Sequence, residues 1–296
     1  MPLLSRRWTN AYWPSFKRKP NSWRVIPYRS RTNNWLIILI GLSLGLIGGG
    51  GSILTVPVLV YLMGIDPVLG TAYSLFIVGA TSVVGSISYF RRSLVDVRTA
   101  VLFGLPSIFA VFLTRAYLVP AIPECVLSPG SFAIDRNMLL MLLFAVLMLT
   151  ASVSMIRPAK MQEKASQRTP KPKQPRYALI LLEGIVVGTL TGLVGAGGGF
   201  LIIPALVFLG GLPMKQAIGT SLVIISAKSL LGFLGENNPA GLDWGLLLSV
   251  TAFAIIGIFI GMKLSQYIDG DKLKPAFGWF VFVMGLYIIL KETILV

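Results

Sequence analysis

Apolar residues in this chain come in blocks of roughly 20, set apart by short polar interruptions. About 20 apolar residues in helical form cross roughly 30 Å of hydrocarbon. Reading the blocks predicts about eight crossings: 35–63, 67–90, 99–119, 138–157, 177–210, 214–235, 244–264 and 274–294. Between the fourth and fifth lies RPAKMQEKASQRTPKPKQPR, a Pro/Lys/Gln-rich linker with no apolar periodicity. The expected fold is therefore an all-α polytopic membrane protein. Its parts are a basic tail (1–34), a first transmembrane unit (35–157), a linker (158–176) and a second unit (177–296).

The two units overlay. GLIGGGGSILTVPVLV (Gly45–Val60) matches GLVGAGGGFLIIPALV (Gly192–Val207) at an offset of 147 positions. VLGTAYSL (Val68–Leu75) matches AIGTSLVI (Ala217–Ile224), and LVDV (Leu94–Val97) matches GLDW (Gly241–Trp244). Three matches in one order imply a duplication of four-span units, each with a Gly-broken first helix.

Composition agrees with this setting. The 296 residues are 55% hydrophobic and only 12% charged, against about 25% charged in an ordinary soluble chain; mean hydropathy is +0.79. The net charge of +15 could suggest nucleic acid, but the basic residues gather just outside apolar blocks. Eight Lys/Arg lie in 1–31, seven between Arg157 and Arg176, and Arg91, Arg92 and Arg98 form a third cluster. That is the positive-inside pattern and headgroup contact, so the expected partners are the lipid bilayer and not nucleic acid. If block 35–63 crosses once, all three clusters fall on one side; if its glycines turn the chain back, they fall on opposite sides. The charge rule favours the single crossing, with both termini cytoplasmic and the repeats parallel.

The chain has no His and a single Cys, Cys125. Ser-His-Asp and Cys-His nucleophile arrangements and His-ligated metal sites are excluded, and no P-loop is present. No cofactor, no metal and no enzymatic activity are expected.

The glycine tracts remain. Close helix packing explains a pair such as Gly188 and Gly192. It does not explain consecutive glycines, each costing roughly 1 kcal/mol of helix propensity relative to Ala. A break at mid-membrane depth leaves backbone groups that hydrocarbon cannot satisfy, which is tolerated where they line a cavity. A helix restarting at Ser52 or Phe200 would offer free N–H groups and a positive dipole end to an anion. Broken helices at matching places in two halves point to a transport site between them. Gly49, Gly50, Gly51 and Ser52, with Gly197, Gly198, Gly199 and Phe200, are the expected substrate-facing backbone. Thr71, Ser74, Thr220 and Ser221 begin the following spans and supply hydroxyls, unless each is spent on a carbonyl of its own helix.

Ionisable residues inside spans are costly and therefore informative. Lys228 lies too deep to snorkel and must meet a carboxylate or an anionic substrate. Arg115 either reaches the outer interface or stays inside. Glu183 is a carboxylate for proton coupling or the partner of a nearby Lys. Asp96 and Asp243 hold equivalent places, where helix N-capping is expected.

The motif GxxxGxxGxGGGFLIIPAL, followed by AIGTSL and a loop ending LDW, resembles the sulfite exporter TauE/SafE-like family of permeases, from residue 35 onward. The first copy of the motif is degenerate, with Ser52 where the second has Gly199. The resemblance implies a secondary transporter of a small anion, sulfite or an organosulfonate, in the bacterial inner membrane. The alternatives are an anion channel or a membrane-embedded enzyme.

Overall fold

The computed structural model describes residues 38, 41–43, 52–127, 134–156, 177–208, 210–236, 242–264 and 270–294. The tail, the 158–176 linker and Gly49–Gly51 lie outside the described residues. Nine helices follow in order among the described residues: α1 (Ser52–Leu62), α2 (Pro67–Arg91), α3 (Val97–Ala121), α4 (Arg136–Ile156), α5 (Tyr177–Val194), α6 (Gly199–Phe208), α7 (Met214–Leu234), α8 (Trp244–Leu264) and α9 (Gly270–Ile294). Helical turns also hold Ile38 and Gly41–Ser43. Five of the helices are long and apolar enough to cross a membrane, namely α2, α3, α4, α7 and α8. The loop 122–135 carries a short antiparallel pair, β1 (Cys125–Leu127) on β2 (Ile134–Asp135), a small departure from an all-helical chain.

Local chemistry sets the helix starts. Asp66 accepts from the N–H groups of Val68 and Leu69, with Pro67 at the first helical position of α2. Asp96 accepts from Thr99 N–H at α3, and Asp243 from Leu246 N–H at α8, the expected caps. The lipid-facing surface is apolar, with Phe109 on α3 69% exposed and Leu182 and Trp279 prominent on α5 and α9. The interior instead holds many buried Ser and Thr residues. This inversion of a soluble protein's surface marks a polytopic helical membrane protein.

Helix directions follow from which residues meet. Gly184, Gly188 and Gly192 of α5 pack on Phe103, Ser107 and Thr114 of α3, so α5 runs parallel to α3. Gly219 of α7 meets Leu94, and Gly232 and Gly235 meet Val111 and Phe112, so α7 also runs parallel to α3. By contrast, Gly232 meets Leu75 of α2, Gly79 meets Leu230, and Gly85 meets Leu222. Helices α2 and α7 are therefore antiparallel.

With α5 and α7 running the same way, α6 must carry the chain back between them. Its Ile202, Ile203 and Leu206 pack with Ile180 and Val187 of α5 and Ala217 and Ile224 of α7. Block 177–210 is thus a hairpin that turns at the glycine tract, not the one crossing counted from its apolar length. The ends of the bundle change accordingly. Tyr61 donates to Glu292, and Asn137 to Asp66, placing the end of α9 and the start of α4 with the start of α2. This is the Asp66 end; Arg91 and the close of α4 lie at the other, the Arg91 end. The closes of α9 and α4 are therefore at opposite ends of the bundle, which goes against the expectation of a shared side.

Candidate functional site

The turn between α5 and α6 is built from left-handed glycines. Gly195, Gly197 and Gly198 have φ of 72°, 65° and 74°, a region that costs an L side chain roughly 1–2 kcal/mol. Gly195 N–H closes α5 on Thr191 O at 2.8 Å, a left-handed C-terminal cap. Gly198 N–H donates back to Ala196 O at 2.7 Å, and Gly198 O accepts from Leu201 and Ile202 to start α6. The Gly198 N–H is therefore spent on the turn itself, contrary to its expected role as a free donor. The N–H groups of Gly199 and Phe200 fall in the first turn of α6, where a helix supplies no acceptor.

Lys228 comes to this turn from α7. Its side chain is fully buried, and Nζ donates to Thr191 Oγ1 at 3.0 Å. Nζ also stands only 2.8 Å from where a Cβ on Gly198 would be. No carboxylate of the described residues pairs with it. An ammonium and a helix N-terminus are both positive, so their juxtaposition is unfavourable until a negative charge lies between them.

The first half reaches the same place. Ser52, buried at the start of α1, has its Cβ 3.4 Å from a Cβ position on Gly197, with Val78 and Ile225 closing that contact. Gly195 rests against Thr71. The Oγ atoms of Ser74, Ser82, Thr55 and Ser229 are buried without hydrogen-bond partners. Thr71 donates to Val68 O and Ser221 to Ile218 O, the intrahelical alternative for both. Thr220 lies about two turns from Lys228 along α7 and accepts from Asp96 N–H at 2.9 Å, tying α7 to α3. Phe200 is buried in the core formed with α4 and α9.

Glu183 stands about two turns before Thr191 on α5, with Oε2 buried and without a hydrogen-bond partner. Arg115 does not snorkel; it is 1% exposed and pairs with Glu236 at 3.4 Å. Sequence reasoning missed Thr191 and Glu236 as the partners of the two buried cations. Only the one-turn spacing from Thr191 to Gly195, at the edge of the tract, hinted at the first.

Comparison with known proteins points to membrane transporters. A protein of Xylella fastidiosa, named a probable membrane transporter protein, is 30% identical over 257 residues, covering 86% of this chain and 92% of its own. A Haemophilus influenzae protein of the same description is 28% identical, covering 86% and 95%. The Bacillus subtilis probable membrane transporter protein YunE is 26% identical, covering 78% and 88%. No solved structure matches. The family described as sulfite exporter TauE/SafE matches residues 35–288, and the chain belongs to that family.

Proposed function

We propose that this protein is a secondary permease for a small oxyanion, sulfite or an organosulfonate, in the bacterial cell membrane. The observation that carries the reading is Lys228, fully buried, without a carboxylate partner among the described residues, beside the start of α6. An oxyanion there would take the ammonium and the first N–H groups of α6. The family's description and the names of the relatives support transport.

On this reading the chain is two units of inverted orientation, alternating about a site on their shared axis. Paired contacts at the 147-residue offset support it. Gly188 on Ser107 is matched by Gly41 on Ala254, and Gly232 on Leu75 by Gly85 on Leu222. Asp96 N–H to Thr220 is matched by Asp243 N–H to Tyr73. At the same offset Ser52 opens α1 where Gly199 opens α6. Arg91, Arg92, Lys215 and Lys263 gather at the Arg91 end, which supports a cytoplasmic placement of that end. A proton carried by Glu183 would couple transport to the gradient.

Uptake of labelled sulfite, methanesulfonate and acetate into proteoliposomes, with and without a pH gradient, tests the reading. Saturable, counterflow-competent uptake of the sulfur oxyanions is expected, and Glu183→Gln should remove only the response to the gradient. Failure to carry any of the three ends the permease reading, and unsaturable current without counterflow means a channel.

A further inference from the structure

The second buried cation is not used by the site at Lys228. Arg115 presents its Nη1 to Glu236 Oε2 at 3.4 Å, while Nε and Nη2 have no hydrogen-bond partner among the described residues. A guanidinium carries five N–H donors in a rigid fork, so one long contact leaves most of them unused inside the protein. Leaving such donors unsatisfied costs free energy, so a further acceptor is favoured there. The backbone is unusual at the same place, since Thr114–Leu118 forms a π-helical turn, a distortion concentrated at functional positions.

Arg115 also continues the site rather than standing apart from it. Thr114 packs on Gly192, the residue after Thr191, which holds Lys228. Glu236 lies eight residues beyond Lys228 and two past the end of α7, toward the Asp66 end. Glu236 is 16% exposed while Arg115 is fully enclosed. The acid can therefore swing to water, and the cation cannot.

We propose that Arg115 is a second oxyanion station on the Asp66 side of the site, and that Glu236 is the latch that occupies it when that side is closed. This rests on the permease reading for the nature of the cargo. An anion leaving Lys228 toward the Asp66 end takes the Arg115 fork through two of its oxygens and displaces the Glu236 carboxylate. When the anion departs, the carboxylate returns and closes the side. The chemical class is any small anion with two oxygens on one centre, which includes sulfite, sulfonates and carboxylates. A lysine cannot reproduce the fork.

Zero-trans transport measured separately from each side tests this. Arg115→Lys should raise KM for methanesulfonate offered at the Asp66 end about tenfold, the lower range for losing a charged hydrogen bond, and leave KM from the Arg91 end unchanged. The exchange Arg115→Glu with Glu236→Arg should restore thermal stability without restoring flux. An equal KM change from both sides, or recovery of flux by the exchange, makes the pair a structural brace and overturns the proposal.

A second readout does not need transport. In the Cys125→Ser protein carrying Ser229→Cys, an impermeant maleimide added at the Asp66 end should label about tenfold faster once Glu236→Gln loosens the latch. Labelling from the Arg91 end should not change. Unchanged labelling from the Asp66 end overturns the latch, even if the wild-type protein carries none of the anions and the permease reading has failed by itself.

Discussion

At Gly198 three demands meet on one Cα: a φ of 74°, the Thr191 side chain and the Lys228 ammonium. Gly211 shares the left-handed backbone, with φ of 65°, but a Cβ there would meet nothing within 4 Å. Gly211→Ala should therefore cost only the backbone term, roughly 1–2 kcal/mol. Gly198→Ala should cost more and abolish flux, because Thr191 and Lys228 must both move; thermal unfolding in detergent and uptake separate the two. Lys228 gives a test of opposite sign. Lys228→Met keeps length and removes a buried charge that has no carboxylate, so stability should hold or rise while flux falls at least about tenfold, the expected loss of one charged contact. If flux survives, Lys228 is not the anion's partner. The residue scale was partly legible in advance. A lysine inside a span announces itself by cost, but its partner Thr191 is one hydroxyl among many in the interior. Glu236 is 121 positions from Arg115 and shows no sequence sign of pairing.

Helix starts were the most readable elements, because an Asp ahead of an apolar run has a local meaning. Asp96→Ala and Asp243→Ala should each cost about 1 kcal/mol, the usual worth of a cap. Each should slow neither binding nor exchange from the saturated carrier, as measured by thermal unfolding beside counterflow. A selective collapse of transport in one of them would mean that these caps move during the cycle. The glycine break was legible too, since consecutive glycines suit no helix interior. The return of α6 was not. Apolar length fixes how far a segment can reach and says nothing about whether it continues or turns back. That information lies in which faces of α3 and α7 the small residues of α5 and α2 meet.

For the whole molecule, the expectation of shared sides rested on counting crossings, and one hidden hairpin reverses the parity of everything after it. In the Cys125→Ser protein, single cysteines at Ser93, just past α2, and at Thr293, near the close of α9, should react with an impermeant reagent from opposite sides. Reaction of both from one side would remove the inverted arrangement. Positive-inside bias constrains loops that flank full crossings; the 91–98 cluster and the close of α4 do share the Arg91 end, and it is the uncounted hairpin after them that moves the close of α9 to the other end.

The pairing of Gly188 with Ser107 and of Gly41 with Ala254 has a consequence for how the chain is made. Each half lends a helix to the other, so neither is a finished object when the ribosome has completed it. The groove around Gly41 waits for α8, about two hundred residues later in the sequence. At roughly 5–20 residues per second, that is an interval of some ten to forty seconds. During that interval a buried-type surface stands open to lipid, and a translation stall in the linker would lengthen its exposure to quality-control proteases.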